Sequence, residues 1–151
     1  MAVQGNYAAL NLAKIKMLNG TVNVSSDTLH AVLCSSAQGL SPTFAGTSTN
    51  AQYSDLTNEL ATANGYAAGG VAISGVSLAL SSGVVTLAAG NPSWTITGGG
   101  ITFKYVAIVD WTTANKDILF YCDMDTSGGS VTSVAGTMLV RTNASGINTW
   151  A

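Results

Sequence analysis

Charge is what this chain has least of. Five lysines and arginines and seven aspartates and glutamates stand among 151 residues, 8% of the chain, against roughly a quarter in an average soluble domain. Five basic residues scattered along the chain exclude a nucleic-acid footprint, which needs lysine and arginine gathered on one face. Long apolar runs are missing too: the longest extend over about five residues, where a helix crossing a bilayer needs about 20. The opening "MAVQGNYAALNLAKIKMLNG" places its basic residues after the apolar ones and has no long apolar stretch, so it does not read as a secretory signal. Cysteine is limited to Cys34 and Cys122, 88 positions apart and without a Cys-x-x-Cys pair. Two buried free thiols are the expectation, because nothing points to an oxidising compartment.

Histidine is rarer still. A Ser-His-Asp relay would have to use His30, which lies inside the strand-like "TLHAVLC", and no Gly-x-Ser-x-Gly elbow accompanies it. Cys34 falls on the same strand face but about 13 Å along, beyond the reach of a Cys-His pair. Acids are too few and too dispersed to mark a facing pair of carboxylates. The chain is therefore not expected to be an enzyme, and no cofactor is implied.

What is abundant is serine, threonine, glycine, alanine and asparagine. A polar but uncharged exterior suits a protein held in an assembly, since net charge is what keeps a free protein soluble. Short apolar runs with period-2 alternation occur at 13–18, 21–24, 28–36, 70–75, 77–80, 84–89, 93–97, 101–111, 117–124 and 131–142. Turn formers such as Asn19-Gly20, Ser82-Gly83 and Gly98-Gly99-Gly100 separate them. That spacing predicts one all-β domain over 1–151, an antiparallel β-sandwich or barrel-like fold with at most one or two short helical turns. The doubly apolar "ITFKYVAIVDW" is placed centrally, and "AKIKML" (13–18) reads as an edge strand guarded by its lysines. A short helical turn is expected in "SDLTNELATA" (54–63), after Ser54 as N-cap. Residues 1–12 read as a strand or an arm, and 38–54 as a surface loop.

The most motif-like stretch is "NGYAAGGVAISG" (64–75). Its glycines have the spacing of a phosphate loop, but Val76 stands where the lysine must be, and a strand follows instead of a helix. Backbone bends account for them better. "DMDTSGG" (123–129) offers Asp123, Asp125 and Ser127 in the opening order of a calcium loop, but its closing position holds Val134 instead of glutamate. A hairpin turn with local side-chain to backbone bonds is the other reading of that segment. A sugar platform would need an exposed tyrosine or tryptophan outside the strands, for which Tyr53 and Trp150 are the candidates.

Taken in order, "MLNGTVNVSSDTLHAVLCSS", "DLTNELATANGYAAGGVAISG", "WTITGGGITFKYVAIVDW", "ILFYCDM" and "GTMLVRTNASGI" carry a resemblance. Asn-Gly, Ser-Asp-Thr, Asn-Glu, Gly-Tyr-x-x-Gly-Gly, Tyr-x-x-Ile before Asp, and Ser-Gly-Ile succeed one another as in a family of small tailed-phage virion proteins. The similarity runs from about residue 12 to near the end. It implies a capsid decoration (cement) or head-fibre protein: a homotrimer on the outer head surface, partnered by the major capsid protein, binding neither nucleic acid nor membrane. Contact with the capsid is then expected from the first ten residues and the 38–54 loop, with Tyr7, Phe44 and Tyr53 as anchors. The alternative is a tail or fibre component that binds a host-surface glycan.

Overall fold

A computed structural model describes residues 2–46, 51–143 and 146–150. The fold is all-β and sandwich-like, built of antiparallel sheets with no closed barrel. Its centre is a five-stranded sheet in the order β1 (Ala8–Ala9), β9 (Ile118–Asp123), β8 (Tyr105–Asp110), β2 (Leu29–Cys34) and β3 (Val71–Ala72). The second half of the doubly apolar run, β8, does occupy the middle, and Val106 to Asp110 are all buried. Cross-strand register puts Leu29, Ala31, Leu33, Val106, Ile108, Phe120 and Cys122 on one fully buried face. The other face carries Val32 and Ala107 with half-buried His30, Tyr105 and Tyr121 toward its rim.

Three smaller sheets complete the fold. β12 (Asn148–Trp150), β5 (Val84–Ala88) and β4 (Ser77–Ser81) form one; β11 (Gly136–Leu139) pairs with β6 (Ser93–Ile96), and β10 (Val131–Ser133) with β7 (Ile101–Phe103). The long run at 101–111 is thus two strands. Lys104 breaks it, turning a buried side chain away to meet the 123–129 turn. The run at 131–142 is likewise two strands, divided before Gly136.

Two expected strands are not strands. Residues 13–18 belong to α1 (Asn11–Leu18), an eight-residue helix. Alternation over six positions is too short to exclude a helical period, and Ala, Leu, Lys and Met are strong helix formers. Leu10 and Ala13 are buried and Met17 half-buried, while Ile15 and Leu18 face outward. Lys16 pairs with Asp117 and guards no edge, and Asn19-Gly20 ends the helix where a hairpin turn was expected. Residues 21–24 form no ladder, although Val22 and Val24 are both buried. The helical turn near 54 shrinks to a 3-10 turn, Tyr53–Asp55, capped by Gln52 and not by Ser54.

The first residues are not a detached arm. Ala8 and Ala9 pair with Tyr121 and Phe120, Gly5 N–H donates to Asp123 O, and Tyr7 and Leu10 are buried. The loop from 38 is also anchored: Gln38 and Leu40 are buried, and Asn11 N–H donates to Pro42 O. Its positions 47–50 lie outside the described residues. Cys34 and Cys122 are both buried. Cys34 is opposite Tyr105 and Cys122 opposite Val106; neighbours on one strand point to opposite faces, so β8 stands between two thiols that face away from each other. Burial pushes both thiols up, Cys122 to about 12.

Candidate functional site

The densest polar arrangement lies where residues 51–70 dock on the open edge of β2. β3 covers only His30 and Ala31. Beyond them, Leu60 N–H donates to Leu33 O and Ser35 N–H to Asn58 O, so the segment supplies the backbone partners a third strand would have given. Glu59 sits at the centre. Its carboxylate accepts from Tyr53 Oη (2.5 Å), Tyr66 Oη (2.7 Å) and Gly69 N–H (2.6 Å). Tyr66 Oη in turn accepts from Leu33 N–H, and its ring lies 6.4 Å from that of Trp94. Burial, then the hydrogen bond to Glu59, raises both phenols well above their ordinary range.

An aromatic group adjoins this carboxylate. His30 stacks on Trp111 at 4.3 Å with planes 6° apart, and Tyr53 meets the same indole edge-on at 5.0 Å. Lys116 Nζ stands 3.9 Å from the Trp111 ring centre, and His30 Nδ1 lies 2.9 Å from Gly69 O. Here the glycine question is answered. Gly70 has φ +65°, and a Cβ on it would fall 1.9 Å from Ala31 O. The glycine lets the loop backbone lie against β2, and phosphate has no part in it. Glu59 already accepts from three donors, and His30 and Lys116 both lie against the Trp111 ring. The arrangement locks a loop; it does not present a nucleophile with its base.

The acid pair 123/125 closes a turn. Asp125 Oδ1 accepts from Ser127 Oγ and Ser127 N–H, and Asp123 Oδ1 from Asp125 N–H. The Ser127 bonds hold the Asp125 carboxyl below the usual range. Lys104 Nζ donates to Asp125 O (3.2 Å) and Gly129 O (3.1 Å) and lies 3.5 Å from Asp123 Oδ2. An ammonium therefore holds the Gly129 carbonyl that a calcium loop would use. The local side-chain to backbone bonds are as expected for a turn, but the turn joins β9 to β10, strands of different sheets, and is not a hairpin. Among the described residues, no three histidine, cysteine or acidic side chains come close enough to hold a metal. No helix among them is long and apolar enough to cross a membrane.

No family model matches this chain, and no curated protein or solved structure is significantly similar to it.

The three expected capsid anchors go to three separate places. Tyr7 is 6% exposed, its hydroxyl buried without a partner, so it is core and not a free anchor. Phe44 is half-buried and lines a cleft of about 350 Å³ with Asn11, Leu12 and Pro42. Tyr53 is half-buried with its hydroxyl on Glu59. Trp150 borders an apolar groove of about 410 Å³ with Met17, Leu18 and Val85. Sequence reading passed over Glu59, Trp111 and Lys116 as site residues. Only the Asn-Glu and Gly-Tyr-x-x-Gly-Gly markers pointed toward them.

Asp110 is a fully buried acid that faces a second acid, Asp27. Its Oδ1 accepts from Thr112 N–H (2.8 Å), while Oδ2 has no donor. Burial, and after it the Asp27 carboxylate, raises its pKa. A proton on Asp110 supplies the missing donor toward Asp27. Folding thus favours the neutral acid, a contribution complete below the ordinary carboxylate range and lost as pH rises through the raised value. Asp110→Asn keeps the acceptor and adds the donor. It is expected to raise the melting temperature at pH 7 and to leave it unchanged near about pH 3; equal shifts at both pH values would refute this.

Proposed function

We propose that this chain is a structural protein of a tailed-phage virion, a capsid decoration protein. It binds the outer head surface as a homotrimer and clamps neighbouring subunits of the major capsid protein. The observation that carries this reading is the convergence of the marker residues. Glu59, Tyr66, Gly69 and Gly70, far from other markers in sequence, meet Leu33 of the "TLHAVLC" strand and Trp94 in one hydrogen-bonded and packed unit. Residues that resemble a virion family thus form the joint that holds the fold, as expected of a shared scaffold and not of a shared reaction centre.

Three features support binding over catalysis. Among the described residues the polar groups at the Glu59 centre satisfy one another, none of the surface grooves brings an acid and a base together, and the exterior is almost uncharged. A trimer matches local three-fold positions of an icosahedral head, where one interface is repeated and weak contacts sum. The capsid-facing surface is assigned to the 38–54 loop, with Phe44 beside α1 as its apolar anchor; the first ten residues belong to the fold. The glycan reading is weaker because Trp111 already carries His30 and Lys116 on its ring.

The test is sedimentation of the purified protein with isolated heads and isolated tails. It is expected to pellet with heads at saturating, symmetry-related stoichiometry, and Phe44→Ala to lower its affinity by about tenfold, as loss of an interface anchor does. Pelleting with tails alone would overturn the assignment.

A further inference from the structure

The β4 strand is an edge without defences. β5 covers one side of it, and among the described residues nothing pairs with the other. All five residues are exposed, Leu78 to 44% and Leu80 to 72%. Natural edges usually carry a lysine, a proline or a bulge that refuses another strand; Ser77-Leu78-Ala79-Leu80-Ser81 has none of these. The five residues also read the same in both directions.

The hairpin fixes which backbone groups are free. Ser82 and Gly83 have φ of +51° and +82°, as in the two-residue turn that suits strand twist, and Ser81 stands opposite Val84. Pairs in an antiparallel ladder alternate between bonded and non-bonded. Starting from Ser81 beside the turn, Ser77, Ala79 and Ser81 direct their backbone groups to β5, and Leu78 and Leu80 direct theirs outward. Those two outward residues lie symmetrically about Ala79. Their side chains share a face with Leu87 and Val85, their cross-strand neighbours, with Trp150 beyond Val85, and with the apolar groove closed by Met17, Val22 and Val24.

We infer that β4 pairs antiparallel with β4 of a second copy of this chain, about a two-fold axis at Ala79. In that register Ala79 faces Ala79, each Leu78 faces a Leu80, and each Ser77 faces a Ser81. Four backbone hydrogen bonds form from the outward groups, and the two three-stranded sheets become one of six. The occupant is a copy because the strand complements itself in this register, and a slip by one residue would turn the leucines to the wrong face. No charge on either strand opposes the approach. The contact buries at most roughly 1,000 Å², the low end for specific interfaces, so it is weak singly and gains when copies are already held together. It does not depend on the virion reading. A ring around a three-fold axis uses two different patches, whereas this contact uses one patch against itself, so the two kinds of association can coexist and β4 can join one oligomer to the next.

Cysteine crosslinking tests both contact and register. Ala79→Cys places two thiols across a non-bonded pair about 4.5 Å apart at Cα, within disulfide range. Leu78→Cys places them two residues out of register, roughly 8 Å apart and out of range. Mild oxidation is expected to give a dimer band on a non-reducing gel for A79C and little for L78C, with Cys34 and Cys122 buried and silent in the parent. Ala79→Lys puts like charges face to face and is expected to weaken self-association at least about fivefold in sedimentation. Leu80→Pro in the A79C background removes an outward donor and spares the β5 ladder; it should abolish the crosslink with an unchanged strand signal in circular dichroism. Crosslinking of A79C no greater than that of L78C overturns the inference. So does an uncrosslinked A79C in which L80P instead abolishes binding to heads, since the edge would then take a capsid strand.

Discussion

A chain that starts at Asn11 is expected to lose at least about 5 kcal/mol of stability. Tyr7 and Leu10 are buried side chains; burial of an apolar side chain contributes about 1.5–3 kcal/mol, the Tyr7 ring adding toward the low end because its hydroxyl is buried without a partner. The pairing of Ala8 and Ala9 with β9, and the bonds of Gly5 to Asp123 and Leu10 to Leu119, disappear with them. Removal also uncovers Phe120 and Cys122 on the outer strand of the central sheet. Against a total of about 5–15 kcal/mol, the remaining chain is marginal or unfolded. Thermal denaturation should show the midpoint falling by about 15 °C, or the truncated protein should collect as aggregate. A soluble truncated protein melting with the full-length chain would show that β1 contributes nothing. The outcome bears on function, because loss of head binding in such a truncation would then report lost folding and not a lost contact arm.

Glu59→Ala carries the next largest effect, a destabilisation of about 3 kcal/mol. It leaves Tyr66 Oη and Gly69 N–H without their acceptor in a region where Tyr66 is 2% exposed, and each buried donor left unsatisfied costs about 1–3 kcal/mol. Tyr53 loses its acceptor as well, and with it the tether that sets its ring against Trp111. Glu59→Gln keeps one acceptor oxygen, and a phenol can rotate its hydrogen to accept from the amide, so about 1 kcal/mol is expected there. Urea unfolding of the two variants checks the ordering. Alanine and glutamine variants of equal, near-parental stability would remove Glu59 from its central place.

The strands were legible where side-chain period and burial agree. In "SWTIT", Trp94 and Ile96 are buried and Ser93 and Thr95 exposed, so alternation alone located β6. "ITFKYVAIVDW" announced a central strand because both its faces are apolar. "AKIKML" failed because six alternating positions fit a helix as well as a strand. The helix prevails because α1 packs beside β9 and Lys16 reaches Asp117, 101 positions away. β12 went unread because "NTW" is too short to show a period; Asn148 to Trp150 become a strand by lying opposite Leu87 to Val85.

What the sequence determined by itself is the class of the protein: an all-β domain with scarcely any charge, no site of known catalytic spacing, and glycines at bends. Each follows from local chemistry, the steric freedom of glycine, the two-residue period of a strand and the solvation of charge, which neighbours in sequence already fix. Tertiary structure alone decided which of those residues act together. Glu59 became a junction when Tyr53, Tyr66 and Gly69 converged on it and Tyr66 in turn met Leu33, and Lys104 displaced the calcium reading by reaching the turn at Asp125. β4 became an open edge because β5 took only one of its sides. Hydrogen bonds and strand edges depend on positions in space, and only the closed chain sets those for residues so far apart in sequence.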